Sequence, residues 1–401
     1  MLLAEAVPYS DVPFTRDAIP QRLLDIEGGR RVNALPWRGQ FSPELVEVLL
    51  KTYSEGGLVL DPFCGSGTTL LEAAQEGLPS HGVEVNPAAQ ILANLYLLSN
   101  HEKDVRLRAF GSVESRLRAS GAAAHQTAAL LEMVRRVDDP LGVLIARAIF
   151  LLALNNGDRV SEKSLGRALG LVENLVLRLP SSCSEISVEL GDSRHISLPD
   201  GGAGMVLTSP PYVNVFNYHQ NYRKAVELLG YEVLPAARAE FGSNRKHRQN
   251  RFLTVVQYAQ DIGLTLRESV RVVRPGGISV WVIGRESSVR GSAVPNPRIV
   301  YEMALGIGGL ELIGKHERKF RSRYGALVYE DILVFRHAGI GDSPVLAEDP
   351  VVLGREVGRG VLESLSPSGV EREMEIAQAI EGADRVGPSV PPDHGLHSGQ
   401  R

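Results

Sequence analysis

The nine residues Asp61-Pro62-Phe63-Cys64-Gly65-Ser66-Gly67-Thr68-Thr69 lie between a predicted buried strand and a predicted helix, and this junction predicts the fold class. Apolar residues dominate the predicted strand over 56–61, and a helical pattern follows from Thr68 to about residue 76. Glycines at such a turn let the backbone approach a ligand, and free N–H groups at the helix start favour a polar or anionic group. A second predicted strand, 80–85, follows the helix. This strand–helix–strand order is typical of a parallel sheet with helices on its faces.

Further strand patterns outside this unit extend the predicted sheet. They are short apolar runs bounded by turn residues, at 186–190, 203–207, 278–283, 310–313 and 332–335. Helices are predicted to begin at Pro43, with Ser42 as N-cap, and at about residue 254. We therefore predict an α/β fold with about seven mostly parallel strands and helices on both faces.

The composition of the 401-residue chain is that of a soluble globular protein, with 43% hydrophobic and 22% charged residues. Its formal net charge of −4 means that a nucleic-acid enzyme must concentrate positive charge locally. The longest apolar stretch, 141–154, is interrupted by Arg147 and is too short to cross a bilayer. Cys64 and Cys183 are too few for a disulfide framework or a zinc site, and no amino-terminal signal pattern is present. We expect a reduced, cytoplasmic protein without a membrane or metal partner.

Three kinds of ligand loop compete for residues 61–69. A Walker phosphate loop requires Lys before Ser or Thr, and the Thr68-Thr69 pair offers none. A dinucleotide fingerprint requires a third glycine where Leu70 stands, so it fits weakly. The stretch instead resembles the cofactor loop of the amino-methylating DNA methyltransferases, the N4-cytosine and N6-adenine enzymes, whose form is Asp-Pro-Phe-x-Gly-Ser-Gly-Thr-Thr. The resemblance implies a Rossmann-like class I methyltransferase fold and S-adenosyl-L-methionine as cofactor.

The resemblance also implies which residues bind that cofactor. The 61–69 loop would line its methionine and adenosine moieties, and Glu84, about 20 residues past the glycines, would accept both ribose hydroxyls. Asp192 resembles the acid that bonds the adenine amino group, and the segment 41–43 resembles one that packs near the methionine end. The complete predicted set is Phe41, Ser42, Asp61, Pro62, Phe63, Gly65, Ser66, Gly67, Thr68, Thr69, Glu84 and Asp192.

The turn Thr208-Ser209-Pro210-Pro211-Tyr212 follows the fourth predicted strand and resembles the catalytic loop of the same family. An amino group conjugated to a base ring is a poor nucleophile, so acceptors must draw its nitrogen towards tetrahedral geometry. In this interpretation the Ser209 hydroxyl and the Pro210 carbonyl accept from the two N–H groups. Pro211 helps to stiffen the turn, and Tyr212 stacks on a base flipped from the helix. No metal or covalent nucleophile is required.

Ser209 favours cytosine N4, because family members with Ser there are mostly N4-cytosine enzymes, whereas N6-adenine enzymes mostly carry Asp or Asn. An N6-adenine DNA enzyme is the main alternative. An RNA amino methyltransferase is a further one, although those enzymes usually carry Asp before Pro-Pro and a separate RNA-binding domain. Intact motifs argue against a non-catalytic protein on a decayed fold. C5-cytosine methylation requires a nucleophilic Cys, normally after Pro, and neither cysteine follows a proline.

Positive charge is concentrated over 243–251, which holds four permanent cations soon after the catalytic turn. The predicted DNA contacts are Asn214, Asn217, Tyr218, Arg245, Lys246, Arg248 and Arg251. The cofactor motif precedes the catalytic motif, the reverse of the commonest order among N4-cytosine enzymes. The target-recognition region is therefore either the helical stretch 101–180 or the segment 213–252.

These patterns divide the chain into five segments. They are an irregular segment 1–40, a cofactor-binding half 41–100, a helical insertion 101–180, a catalytic half 181–338 containing the target-contact segment 213–252, and a flexible tail 339–401. The predicted function is site-specific methylation of cytosine N4 in DNA, in a restriction-modification or other defence system.

Overall fold

The computed structural model describes residues 6–26, 31–120, 126–182, 184–214, 218–243, 247–322, 325–338 and 348–392. The strands in these residues are β1 (Val59–Asp61), β2 (Ser80–Glu84), β3 (Ile186–Leu190), β4 (Ala203–Thr208), β5 (Val273–Gly284), β6 (Ser287–Val289), β7 (Ser292–Val294), β8 (Leu310–Arg321) and β9 (Leu327–His337). The α-helices are α1 (Gln21–Leu24), α2 (Pro43–Tyr53), α3 (Thr68–Gln75), α4 (Pro87–Ala93), α5 (Lys103–Ala119), α6 (Thr127–Arg135), α7 (Pro140–Leu154), α8 (Glu162–Arg178), α9 (Arg223–Leu228), α10 (Val233–Ala239), α11 (Leu253–Val272), α12 (Asn296–Ile307), α13 (Pro350–Glu363) and α14 (Val370–Gly382).

The main sheet has seven strands in the order β3-β2-β1-β4-β5-β9-β8. The first five of these are parallel, and β9 is antiparallel to both of its neighbours. The predicted α/β fold with about seven mostly parallel strands is therefore confirmed. Because parallel strands end at the same edge, Asp61, Glu84 and Thr208 at the ends of β1, β2 and β4 lie along one edge of the sheet.

Helices cover both faces of this sheet, and the side chains of β5 show how. Val280 and Val282 belong to the buried cluster that contains the apolar face of α2. Trp281 and Ile283 alternate with them and belong to the cluster formed with α11, α12 and α13. A strand buried on both faces reads as a continuous apolar run, which is the pattern that predicted it.

Residues 101–180, predicted as a helical insertion, contain α5 to α8. These helices share one apolar cluster with α3 and α4, next to the β3 edge of the sheet. The buried Arg106 has a structural role there, because it donates to the carbonyls of Val176 (3.1 Å), Leu179 and Pro180 (3.0 Å) at the end of α8. Of the helices in the described residues, none is long and apolar enough to span a membrane.

Residues 348–392 differ from the predicted flexible tail 339–401, because they contain α13 and α14. Asp349 accepts from the N–H of Val351 (2.7 Å) and so caps α13. Val357 and Val361 lie one turn apart on α13, and both are buried in the cluster that contains α11. The remaining parts of the predicted tail, 339–347 and 393–401, lie outside the described residues.

Candidate functional site

A cleft lies at the carboxyl ends of β1, β2, β3 and β4 and holds about 930 Å³ of space, including its opening to solvent. Open α/β sheets bind ligands at this edge. The residues predicted to bind the cofactor that line the cleft are Phe41, Asp61, Pro62, Phe63, Gly65, Ser66, Thr68, Thr69, Glu84 and Asp192. Ser209 and Pro211 of the predicted catalytic turn line it too. The two predicted motifs therefore share one cleft.

Asp61 connects the Gly-rich loop to the Ser-Pro-Pro-Tyr turn. Its Oδ1 accepts from the hydroxyl of Thr208 (2.6 Å) and the N–H of Phe63 (3.1 Å), and its Oδ2 accepts from the hydroxyl of Thr69 (2.6 Å). Burial raises the pKa of Asp61 to about 6, although these three donors oppose the shift. Since Thr208 directly precedes Ser209, the network fixes the turn relative to the loop.

Glu84 at the end of β2 accepts a hydrogen bond from the middle of the Gly-rich loop. Its Oε2 accepts from the N–H of Gly65 (2.9 Å) and its Oε1 from the N–H of Asn86 (2.8 Å). Burial raises the pKa of Glu84 to about 7, and the two backbone donors oppose that rise. An ionised carboxylate offers about four acceptor positions, so Glu84 keeps capacity for the hydroxyl groups of a ligand.

The two glycines of the loop have different roles. Gly65 lines the cleft at a φ of +53°, and a Cβ there would lie 3.4 Å from Trp37. Gly67 lies outside the cleft lining at a φ of +87°, and a Cβ there would lie 2.8 Å from the ring of Tyr96. Gly67 therefore provides packing space rather than cleft surface. Ser42 also lies outside the lining, at the N-cap position of α2, where its side chain makes no capping hydrogen bond.

Asp192 lines the cleft beyond the end of β3, but both of its oxygens already contact Arg194. Its Oδ1 accepts from the Arg194 Nε (2.9 Å) and its Oδ2 from Nη2 (2.5 Å). The Arg194 side chain is only 6% exposed, and its Nη1 donates to Asp261 (2.8 Å). The predicted adenine acceptor is thus held in a buried ion-pair network.

The sequence did not predict the segment 37–40, which also lines the cleft. Trp37 stacks between Tyr218 and Tyr222, with ring centroids 6.4 and 6.3 Å away and interplanar angles of 16° and 11°. Gln40 donates from Nε2 to the Ser66 hydroxyl (2.5 Å) of the Gly-rich loop. The one sequence signal was a tryptophan within a proline-broken segment. Other lining residues absent from the predicted set include Asn86, Gly191, Ser193, Glu240 and Phe241.

The Ser-Pro-Pro-Tyr turn is held by contacts at both ends. Pro210 is buried, and Pro211 and Ser209 are half-buried. The hydroxyl of Tyr212 lies 3.2 Å from Ser209 Oγ and donates to Glu330 on β9 (3.3 Å). Burial raises the pKa of Tyr212 well above its ordinary value, so this hydroxyl stays protonated. Pro210 and Tyr212 are not part of the cleft lining, and the Tyr212 ring packs against Gly284.

The predicted DNA contacts fall into three groups. Tyr218 lies in the cleft beside Trp37. Asn214 donates to the Ser288 carbonyl (2.7 Å) and accepts from Arg251 (3.4 Å), and Arg248 is exposed. Asn217, Arg245 and Lys246 lie outside the described residues.

The cleft suits S-adenosyl-L-methionine in its chemistry. The buried carboxylates of Asp61 and Asp192 and the half-buried carboxylate of Glu84 match the hydroxyl, amino and ammonium donors of that molecule. The aromatic rings of Phe63 and Trp37 provide flat apolar walls, which also attract a sulfonium cation. No group of three or more His, Cys, Asp or Glu that could hold a metal ion occurs in the part of the chain that the structure describes.

The region that contains the Gly-rich loop is similar to known proteins. Residues 24–94 match the family model described as DNA methylase. Over 63 residues the chain is 40% identical to the Type II methyltransferase M.MjaII of Methanocaldococcus jannaschii, and over 61 residues 41% identical to M.BsoBI of Geobacillus stearothermophilus. These matches cover 16% and 15% of this chain and 12% of each relative, so the matched part spans about an eighth of the curated relatives. They confirm the resemblance of this region to the amino-methylating DNA methyltransferases.

Two solved structures have a weak likeness to this chain. A SAM-dependent methyltransferase of Methanosarcina mazei has a TM-score of 0.34 at 12% identity, over 73% of this chain and 97% of that one. The rRNA methyltransferase aviRa of Streptomyces viridochromogenes has a TM-score of 0.32 at 13% identity, over 84% and 92% of the two chains.

Proposed function

We propose that this chain, whose loop region resembles the DNA methylase family, transfers a methyl group from S-adenosyl-L-methionine to the exocyclic N4 of cytosine in DNA. The observation that carries the proposal is the buried hydrogen bond from Thr208 to Asp61 (2.6 Å). This bond anchors the turn that contains Ser209 to the Gly-rich loop, which Glu84 also contacts. The side chains of Asp61, Glu84 and Ser209 line one cleft.

The residues of the turn fit the task of orienting an amino group. When bound, the cofactor supplies an electrophilic methyl group on its sulfonium sulfur. The Ser209 hydroxyl, half-buried at the cleft, accepts one N–H of the base, and the carbonyl of the buried Pro210 accepts the other. Acceptors on both hydrogens direct the nitrogen lone pair towards the methyl group.

Tyr212 and Glu330 support the same turn from the far side. The Tyr212 hydroxyl donates to Glu330 and contacts Ser209, which fixes the rotamer of the serine before a base arrives. Burial raises the pKa of Glu330, against the effect of nearby Arg318 and the Tyr212 hydroxyl. The Tyr212 ring, half-exposed, is the surface on which a flipped base stacks.

Cytosine N4 is preferred over adenine N6 because Ser occupies the first position of the turn. A serine hydroxyl is both donor and acceptor, whereas the Asp or Asn typical of N6-adenine enzymes offers an acidic or amide oxygen. The Type II names of the relatives suggest a restriction-modification or related defence system as the biological setting, with a cognate nuclease as partner.

Mass spectrometry of nucleosides tests the product directly. DNA is incubated with the enzyme and S-adenosyl-L-methionine, digested, and its methylated nucleosides are identified. We expect N4-methylcytosine in DNA; N6-methyladenine would support the alternative specificity on the same scaffold. If only RNA is methylated, the DNA substrate is wrong.

Substitutions in the turn test the mechanism. We expect Ser209→Ala to lower kcat by about 10²–10³-fold, as for loss of one oriented polar group, while calorimetric cofactor affinity stays near wild type. Tyr212→Phe keeps the ring and should retain more activity than Tyr212→Ala, because stacking is the larger contribution. Ser120→Ala, at a serine outside the cleft lining, is the control. Full turnover by Ser209→Ala would remove the serine from the reaction.

A further inference from the structure

The carboxyl-terminal part of the described chain packs against α11 and contacts Arg194, which binds Asp192 of the cofactor cleft. Residues 386–389 come after α14 in the sequence and run alongside α11. Side chains of α11 donate hydrogen bonds to the backbone of these residues. Gln260 Nε2 donates to the Val386 carbonyl (3.1 Å), and Gln257 Nε2 donates to the Gly387 carbonyl (3.0 Å). Ser389 is only 1% exposed. We call residues 386–389 the C-terminal strap.

Ser389 donates hydrogen bonds to the fully buried carboxylate of Asp261 on α11. Its N–H donates to Asp261 Oδ1 (2.8 Å) and its hydroxyl to Asp261 Oδ2 (2.5 Å). Its carbonyl accepts from Arg194 Nη1 (2.6 Å), which also donates to Asp261 Oδ1 (2.8 Å). Three atoms of this one residue therefore take part in the ion-pair network.

The network extends to the wall of the cleft through Arg194. The guanidinium binds both oxygens of Asp192, which lines the cleft. It also lies over the ring of Phe241, 5.1 Å from the centroid, and Phe241 lines the cleft and contacts Phe63 edge-on at 5.4 Å. One buried cation thus orients an acidic and an aromatic side chain of the same wall.

The Ser389 donors stabilise one of two buried negative charges in this network. Asp192 and Asp261 are two buried carboxylates that share one guanidinium. A buried charge is costly unless hydrogen bonds satisfy it, and Ser389 supplies two donors to the carboxylate that Arg194 contacts only once. Without the Ser389 hydroxyl, Asp261 would compete more strongly with Asp192 for Arg194.

We propose that Ser389 is a positioning residue of the cofactor site, which through Asp261 and Arg194 fixes Asp192 and Phe241 in the cleft. The C-terminal strap is then part of the cofactor site, although it lies about 200 residues beyond Asp192 in the sequence. The proposal rests on the proposed function only in taking S-adenosyl-L-methionine as the occupant of the cleft.

Calorimetric titration of the full chain with S-adenosyl-L-methionine tests this proposal. We expect Ser389→Ala to weaken binding about tenfold, the effect of one lost hydrogen bond to a buried charge. Ser389→Cys, with a weakly donating thiol, should fall between Ser389→Ala and wild type. Exposed Ser364→Ala is the control and should bind like wild type. If wild type binds and Ser389→Ala binds equally well, the proposal is wrong; if wild type does not bind, the proposed function fails instead.

A double-mutant cycle separates positioning from general destabilisation. The effects of Ser389→Ala and Asp192→Asn on the dissociation constant should be strongly non-additive, because both act through Arg194. Ser389→Ala and Glu84→Gln should be close to additive, because the Glu84 carboxylate accepts from the N–H groups of Gly65 and Asn86 rather than from Arg194. Equal additivity in both cycles would mean that Ser389 acts on overall stability alone.

Discussion

At the level of single residues, the raised pKa of Glu84 predicts how cofactor binding depends on pH. The carboxyl group accepts two backbone hydrogen bonds, yet burial raises its pKa to about 7. In the role predicted for Glu84, acceptance of two ribose hydroxyls in addition to these two bonds would require the ionised form. The free protein must therefore release a proton from Glu84 before it binds the cofactor whenever the pH lies below that pKa.

Cofactor affinity should consequently fall as the pH is lowered through about 7. Below the pKa, each further pH unit should weaken binding by up to about tenfold, because a growing fraction of Glu84 is protonated. Glu84→Gln should bind weakly, and the fall of its affinity should begin only near pH 6, where Asp61 titrates. Glu72→Gln, another buried glutamate with a raised pKa, lies outside the cleft and should keep the wild-type profile. Calorimetry across this pH range is the measurement, and a flat wild-type curve would contradict the assignment.

The same residue scale shows what the sequence can reveal of the site. The positions of Glu84 and Asp61 in the cleft could be predicted, because each ends a recognisable strand and belongs to a motif with fixed spacing. The stacking of Trp37 between Tyr218 and Tyr222 was not predictable, since it joins segments about 180 residues apart with no motif between them. Arg194 was missed for the same reason, because its partner Asp261 lies on a distant helix.

At the scale of elements, the sheet was predictable and the helices after it were not. Strands of this sheet are continuous apolar runs, and β5 shows that pattern clearly. The helix α13 contains Gly354, Gly358 and Gly360, which lower its intrinsic propensity and hide its period. A Cβ at Gly354 would lie 2.7 Å from Gln260 Cα, and one at Gly358 2.7 Å from Val256 Cα. These two glycines therefore allow α13 to pack closely on α11.

This packing predicts opposite effects for two glycines of one helix. Gly358→Ala should lower the free energy of unfolding by about 1–3 kcal/mol, because the new methyl group meets backbone of α11. Gly360→Ala should raise it by about 0.5–1 kcal/mol, since a Cβ there meets only Arg298 Nη2 at 3.9 Å and alanine favours the helix. Urea unfolding of both variants is the measurement. Equal effects of the two changes would mean that α13 does not pack as described.

At the scale of the whole molecule, the net charge of −4 requires that any DNA contact be local. Two regions compete for it, the helical stretch 101–180 and the segment 213–252. The second follows the Ser-Pro-Pro-Tyr turn directly, and its Arg251 contacts Asn214 two residues beyond Tyr212. Cations next to the turn are well placed to hold the phosphates on either side of a flipped base.

The salt dependence of DNA binding distinguishes the two regions. Each phosphate contact contributes about 0.9 to the slope of log affinity against log salt concentration. The double variant Arg248→Ala with Arg251→Ala should therefore weaken binding to all sequences and reduce that slope by about 2. The matched pair is Arg167→Ala with Arg178→Ala, both exposed on α8 of the helical stretch, and it should leave the slope unchanged. If the α8 pair reduces the slope and the Arg248 pair does not, the DNA lies against the helical stretch and 213–252 serves the base pocket alone.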